Sequence, residues 1–129
     1  AALSRALELL VQGVVPVPEA VAEHFGTGWT APELLGVALW CAADAVKSLP
    51  ADADDAAVRE ALFGGLCCAV SVDSDSDSVG AMTAALWAAA GFPVGAEQES
   101  DAWSLALARV RGLDQVEAVA DRYLRQLGL

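Results

Sequence analysis

Residues 61–91 read ALFGGLCCAVSVDSDSDSVGAMTAALWAAAG, and this stretch decides how the rest of the chain is read. From Ala61 to Val72 there is no charge at all; three Asp and three Ser then alternate from Asp73 to Ser78; a second apolar run follows from Val79 to Ala90 and stops at Gly91. Both apolar runs are rich in Ala and Leu and poor in β-branched residues, which favours helix over strand. The first is expected to be a helix running to about Val70, started by Asp54 or Asp55 and buried on every side. Gly64 and Gly65 lower its helix propensity and make sense where another backbone packs close. The acidic segment is expected as a loop directly before the helix Val79–Ala90.

Working outward, the same pattern of helix and punctuation continues. Leu3, Ala6, Leu7 and Leu10 form one stripe of a helix over Leu3–Val11, and Pro16 and Pro18 break it and restart a short helix through Val21–His24. Gly26 is expected as its left-handed cap. Thr30 with Glu33 three residues on reads as a capping box that opens a helix over Ala31–Ala45. Two further helices are expected near Ser100–Val110 and over Asp114–Leu127, the last capped by Asp114. No internal repeat and no strand pattern is visible. The expectation is an all-α fold, a compact bundle of about six or seven helices forming a single helical domain over residues 1–129.

Composition narrows the function. Hydrophobic residues make up 56% and charged ones 19%, so a substantial core is expected rather than disorder. The net charge of −11, with Lys47 the single Lys, argues against direct nucleic-acid binding, which relies on basic side chains replacing counterions. An anionic small molecule stays compatible if a bound divalent cation reverses the local field. The longest charge-free stretch, Ser78–Ala96, is interrupted by Gly91 and Pro93, so no membrane span is expected. Cys41, Cys67 and Cys68 have no metal-type spacing and are expected as buried, reduced thiols, consistent with a cytoplasmic protein. The single histidine, His24, excludes a His-based triad and is expected at the surface or at a helix end.

The chemistry-bearing segment is Asp73–Gly80. Its carboxylates and hydroxyls are hard oxygen ligands suited to Mg²⁺, Mn²⁺ or Ca²⁺ rather than zinc. Asp73, Asp75 and Asp77 match the first, third and fifth positions of an EF-hand loop, but the sixth is Ser78 instead of Gly and the twelfth is Ala84 instead of Glu, so that reading fails. On the residues alone two readings stand open: a hard-cation site, or a solvated acidic loop whose last Ser or Asp caps a helix. A phosphorylated serine tract fits badly between two apolar helices.

Asp75-Ser76-Asp77-Ser78-Val79-Gly80-Ala81 resembles the Asp-Ser/Thr-Asp-Ser/Thr-x-Gly-Ala motif of ADP-ribosylglycohydrolases. The flanks agree in order. Phe25-Gly26-Thr27-Gly28-Trp29-Thr30-Ala31-Pro32-Glu33 resembles that family's Gly-x-Gly-Trp start of a helix, Ala38-Leu39-Trp40-Cys41 matches the helix itself, and Pro93 and Trp103 fall where the family carries Pro and Trp. The resemblance covers roughly residues 21–127. It implies an all-α fold and a hydrolase that removes ADP-ribose from a modified protein side chain or a small acceptor. It also implies Mg²⁺ or Mn²⁺ as cofactor, two ions in the complete site, with Asp75, Asp77 and Ser78 as metal ligands.

Trp29, beside Gly28 in a loop, is the candidate for a ligand-pocket wall; Trp40 and Trp87, in apolar helices, are expected in the core. The family commonly has Gly-Gly where this chain has Asp73-Ser74. Its N-terminal half carries a Gly-Asp-x-x-Gly segment and a Thr-Asp-Asp cluster with the remaining metal ligands, and neither occurs in these 129 residues. The expectation is therefore the C-terminal portion of the domain, with half of the site, an inactive isolated chain, and the missing half as a partner in cis or in trans. The alternative is a non-catalytic helical relative that binds a nucleotide or a partner; a weaker one is an interaction domain without a site.

Overall fold

The computed structural model describes residues 1–26, 28–92, 94, 105–106 and 109–128. These contain six α-helices and no strand: α1 Ala2–Gln12, α2 Pro18–Phe25, α3 Ala31–Lys47, α4 Asp55–Val70, α5 Ser76–Ala89 and α6 Leu113–Leu127. The fold is all-α, as the composition and periodicity predict. The chain divides into two compact units, Ala1–Val94 and Gly95–Leu129. None of the helices among the described residues is long and apolar enough to cross a membrane.

In the first unit α3 is the centre, in contact with each of the other four helices. Its start is fixed by the expected capping box: the Thr30 amide donates to Glu33 Oε2 at 3.3 Å, and Pro32 occupies the first turn, where no amide is needed. Val37, Ala38, Trp40, Cys41 and Ala42 are buried along it. α1 lies on α3 through Ala6 and Leu9 and ends at Gly13, whose left-handed conformation brings the Val14 amide to the Leu9 carbonyl at 3.0 Å. The Trp40 indole then donates to the Val14 carbonyl at 3.0 Å, and the Lys47 ammonium to that of Leu10, so α3 holds the end of α1 by its carbonyls.

His24 is half-buried in the last turn of α2, where Nδ1 accepts from Arg5 Nη2 at 2.9 Å and ties α2 to α1. The expected left-handed cap at Gly26 does not form. Its φ of 71° is positive but its ψ is −135°, a combination open essentially to glycine; the Gly26 amide still bonds the Ala22 carbonyl at 3.1 Å, and the chain turns out of the helix at that residue.

α4 begins where expected, with Asp54 Oδ1 accepting from the Ala57 amide at 2.8 Å. It is not buried on every side. Leu62 and Ala69 are buried, but Gly64, Cys67, Cys68 and Val70 are exposed: among the described residues α4 packs chiefly on α3 and α5, and the face turned away from them stays open. An uncharged helix is not thereby an enclosed one. The expectation of three buried thiols is corrected with it: Cys41 is buried, whereas Cys67 and Cys68 are exposed.

Gly65 does mark a close crossing, since a Cβ there would lie 2.6 Å from Ala45 Cβ and 3.1 Å from the Trp87 ring, while Gly64 faces open space. Gly80 marks the second crossing, with Val70 Cγ1 2.7 Å from where its Cβ would be.

α6 starts one residue before the expected position. Gly112, left-handed, is its N-cap, and Asp114 lies inside the first turn, where it complements the helix dipole rather than capping the end. The helix expected over Ser100–Val110 falls largely outside the described residues, as do Pro93 and Trp103.

Candidate functional site

The acidic segment is mounted between two fixed helix ends. α4 stops at Val70; the Ser71 hydroxyl donates back to the Cys67 carbonyl at 2.6 Å, and Val72 is buried, anchoring the turn in the core. Two tight backbone bonds follow, Ser74 N–H to Val72 O at 2.9 Å and Ser76 N–H to Ser74 O at 2.8 Å. α5 then starts at Ser76, three residues earlier than expected. Asp75 is its N-cap, and Asp77 and Ser78 belong to its first turn. Alternating Ser and Asp read as loop in sequence, yet the first turn of a helix, with its free amides and positive dipole end, is where they are stable.

The far part of α5 is held in register on α3. Thr83, fully buried, donates its hydroxyl to the Ala38 carbonyl at 3.4 Å, and one turn on the Trp87 indole donates to the Ala42 carbonyl at 2.9 Å. Trp40 and Trp87 are core residues, as expected. The Thr83 contact had no herald except a hydroxyl four residues before a Trp in an otherwise apolar helix. Both bonds fix which way the N-terminal turn of α5 points.

Within that turn the Asp75 and Asp77 side chains meet in a hydrogen bond. This bond, together with the Ser78 amide on Asp77 Oδ1 at 3.0 Å and the Asp77 amide, holds the Asp77 carboxyl below the usual carboxylate range. Asp73 does not join: among the described residues no three His, Cys, Asp or Glu side chains converge closely enough to hold an ion.

Ser74 occupies the next position inward. Its hydroxyl is buried and has no hydrogen-bond partner among the described residues. It lies against Gly28, where an added Cβ would fall 2.9 Å from Ser74 Cβ and 3.0 Å from its Oγ. Gly28 is buried with φ of 65°, and the neighbouring Trp29 is 68% exposed. The loop before α3 and the acidic turn before α5 are thus in direct contact at these two small residues.

A family model for ADP-ribosylglycohydrolase matches residues 1–128. The chain belongs to the ADP-ribosylglycohydrolase family. Comparison with curated proteins and with solved structures gave no match. Family membership carries hydrolase function of the ADP-ribosylglycohydrolase type at that level.

Proposed function

We propose that the chain is the C-terminal portion of a metal-dependent hydrolase that cleaves the glycosidic bond between ADP-ribose and a protein side chain or small acceptor. The observation that supports this best is the Asp75–Asp77 hydrogen bond in the first turn of α5, which brings two carboxyl groups to one point at the positive end of a helix. With the Ser78 hydroxyl they are the residues that would hold Mg²⁺ or Mn²⁺. Bound there, a divalent cation supplies Lewis acidity toward ribose hydroxyls and water as positive charge develops at the anomeric carbon. The chain's own share is positional. Val70 packed over Gly80, and Thr83 and Trp87 bonded to α3, keep the turn aimed in one direction, while Trp29, on the loop that abuts Ser74, offers a ring face for a base.

Two carboxylates and a hydroxyl leave most positions around a cation to water or to other groups, so the remaining ligands of a two-ion site come from a segment outside these 129 residues, in cis or in trans. The test is calorimetric titration with Mn²⁺. Binding is expected to be weak in this chain and abolished by Asp77→Asn; an unchanged titration in that variant overturns the ligand assignment.

A second reading, a non-catalytic relative that binds ADP-ribose or a partner, draws on one observation: Ser74, with its buried unpartnered hydroxyl, stands where the family has Gly. Complementation with a family N-terminal segment separates the two, since the enzyme reading expects release of ADP-ribose and the relative expects binding without release.

A further inference from the structure

Away from the acidic turn, nucleophilic side chains face one another between α3 and α4. A cavity of about 260 Å³ lies there, lined by Cys41, Asp44 and Ser48 on one side and by Gly64, Gly65 and Cys68 on the other. The helices are consecutive and joined by the short connection 48–54, so they run antiparallel. They touch where Gly65 meets Ala45, at a separation that leaves no room for a Cβ on residue 65. From this contact, one turn back along α3 is Cys41, and one turn on along α4 is Cys68, so the register sets the two thiols opposite each other. They differ in access: Cys41 is 1% exposed and Cys68 is exposed.

We propose that Cys41 and Cys68 are a peroxide-sensitive thiol pair that closes to a disulfide across this cavity. Cys68, exposed, reacts first. Its thiolate sulfur attacks hydrogen peroxide, an S–O bond forms, the O–O bond breaks and hydroxide leaves, giving the sulfenic acid. The Cys41 sulfur then attacks the Cys68 sulfur; the S–S bond forms, the S–O bond breaks, and the departing hydroxide takes the Cys41 proton as water. Two thiols lose two electrons in total and one peroxide becomes two waters.

Burial, with the charges of Cys68 and Asp44 behind it, holds the Cys41 thiol up at about 12, which keeps it unreactive toward peroxide until its neighbour is oxidised. Cys67 is the wrong partner for either sulfur, since adjacent helical side chains point about 100° apart and Cys67 is not among the residues lining the cavity. The bond would tie α3 to the last turn of α4, from which the acidic segment departs.

The test is peroxide treatment of the folded 129-residue chain, alkylation of remaining thiols, and tryptic mapping without reductant. Cys41 lies in the peptide 6–47 and both other cysteines in the peptide 60–109, so the proposed bond joins two peptides whereas a Cys67–Cys68 bond stays within one. The expected result is a monomer with free thiols reduced from three to one, a 6–47/60–109 cross-link that persists in Cys67→Ser, and a raised Tm on oxidation. Cys68→Ala, a change at an exposed position, should leave Cys41 free and Tm unmoved by peroxide. A bond within the peptide 60–109, a disulfide-linked dimer, or Cys68 carried on to the sulfinic acid with Cys41 still free would each overturn the pairing.

Discussion

Gly28 and Ser74 pack against each other so closely that neither has space to spare: a Cβ on residue 28 would lie 2.9 Å from Ser74 Cβ, and the Ser74 hydroxyl is buried there without a partner among the described residues. Gly28→Ala is therefore expected to destabilise the fold twice over, through its φ of 65° and through the contact, by about 2 kcal/mol together. Ser74→Gly in the Gly28→Ala background should recover the contact part only. Ser74→Ala alone, which removes a buried unsatisfied hydroxyl, should be neutral or slightly stabilising. Urea denaturation of the four variants, wild type included, checks the set.

Neighbouring glycines of α4 should respond with opposite signs. Gly64→Ala adds a methyl into open space in the middle of a helix and should stabilise by about 0.5–1 kcal/mol through helix propensity. Gly65→Ala drives the same methyl to 2.6 Å from Ala45 Cβ and against the Trp87 ring, and should cost about 1–3 kcal/mol. Thermal unfolding of the pair distinguishes packing from propensity directly.

These two positions also show what was legible beforehand. The uncharged run 61–72 announced a helix and its glycines announced a close approach, but not which glycine faced the neighbour, because that depends on the direction in which α3 and α5 lie. Absence of charge does not amount to burial: Cys67, Cys68 and Val70 are exposed because, among the described residues, α4 is covered chiefly by α3 and α5. The motif points to Asp75, Asp77 and Ser78 as the proposed ligands. It could not place them in a helical turn, since Ser and Asp favour loops and helix starts for the same reason, their ability to bond free backbone amides. The Asp75–Asp77 pairing and the contact of Ser74 with Gly28 depend on side-chain placement that spacing does not encode.

The two bonds that set α5 on α3 should differ in weight. Trp87→Phe leaves the buried Ala42 carbonyl without its 2.9 Å donor and opens space in the core, and is expected to cost about 2–4 kcal/mol. Thr83→Val keeps the shape and gives up a 3.4 Å bond, and should cost about 1 kcal/mol or less. If Mn²⁺ binding is measured alongside stability, Trp87→Phe should weaken it although the side chain is about three turns from the proposed ligands Asp75, Asp77 and Ser78, because the direction of the first turn depends on the register of the last.

Cys41 gives the stability of the fold a pH dependence of definite sign. Burial, then the charges of Cys68 and Asp44, raise its thiol from 9.0 to about 12 in the folded chain. Below pH 9 both folded and unfolded chains hold the proton and the group contributes no slope. Between pH 9 and 12 the unfolded chain has released it and the folded chain has not, so the unfolded state binds fewer protons and stability falls as pH rises, by about 1.4 kcal/mol per pH unit from this group. Unfolding free energies measured in reductant from pH 8 to 11 should decline more steeply in the wild type than in Cys41→Ala, whatever the offset between the two at pH 8. Parallel declines would mean that the Cys41 thiol titrates in the folded chain as it does in the unfolded one, and that its place in the core is open to hydroxide.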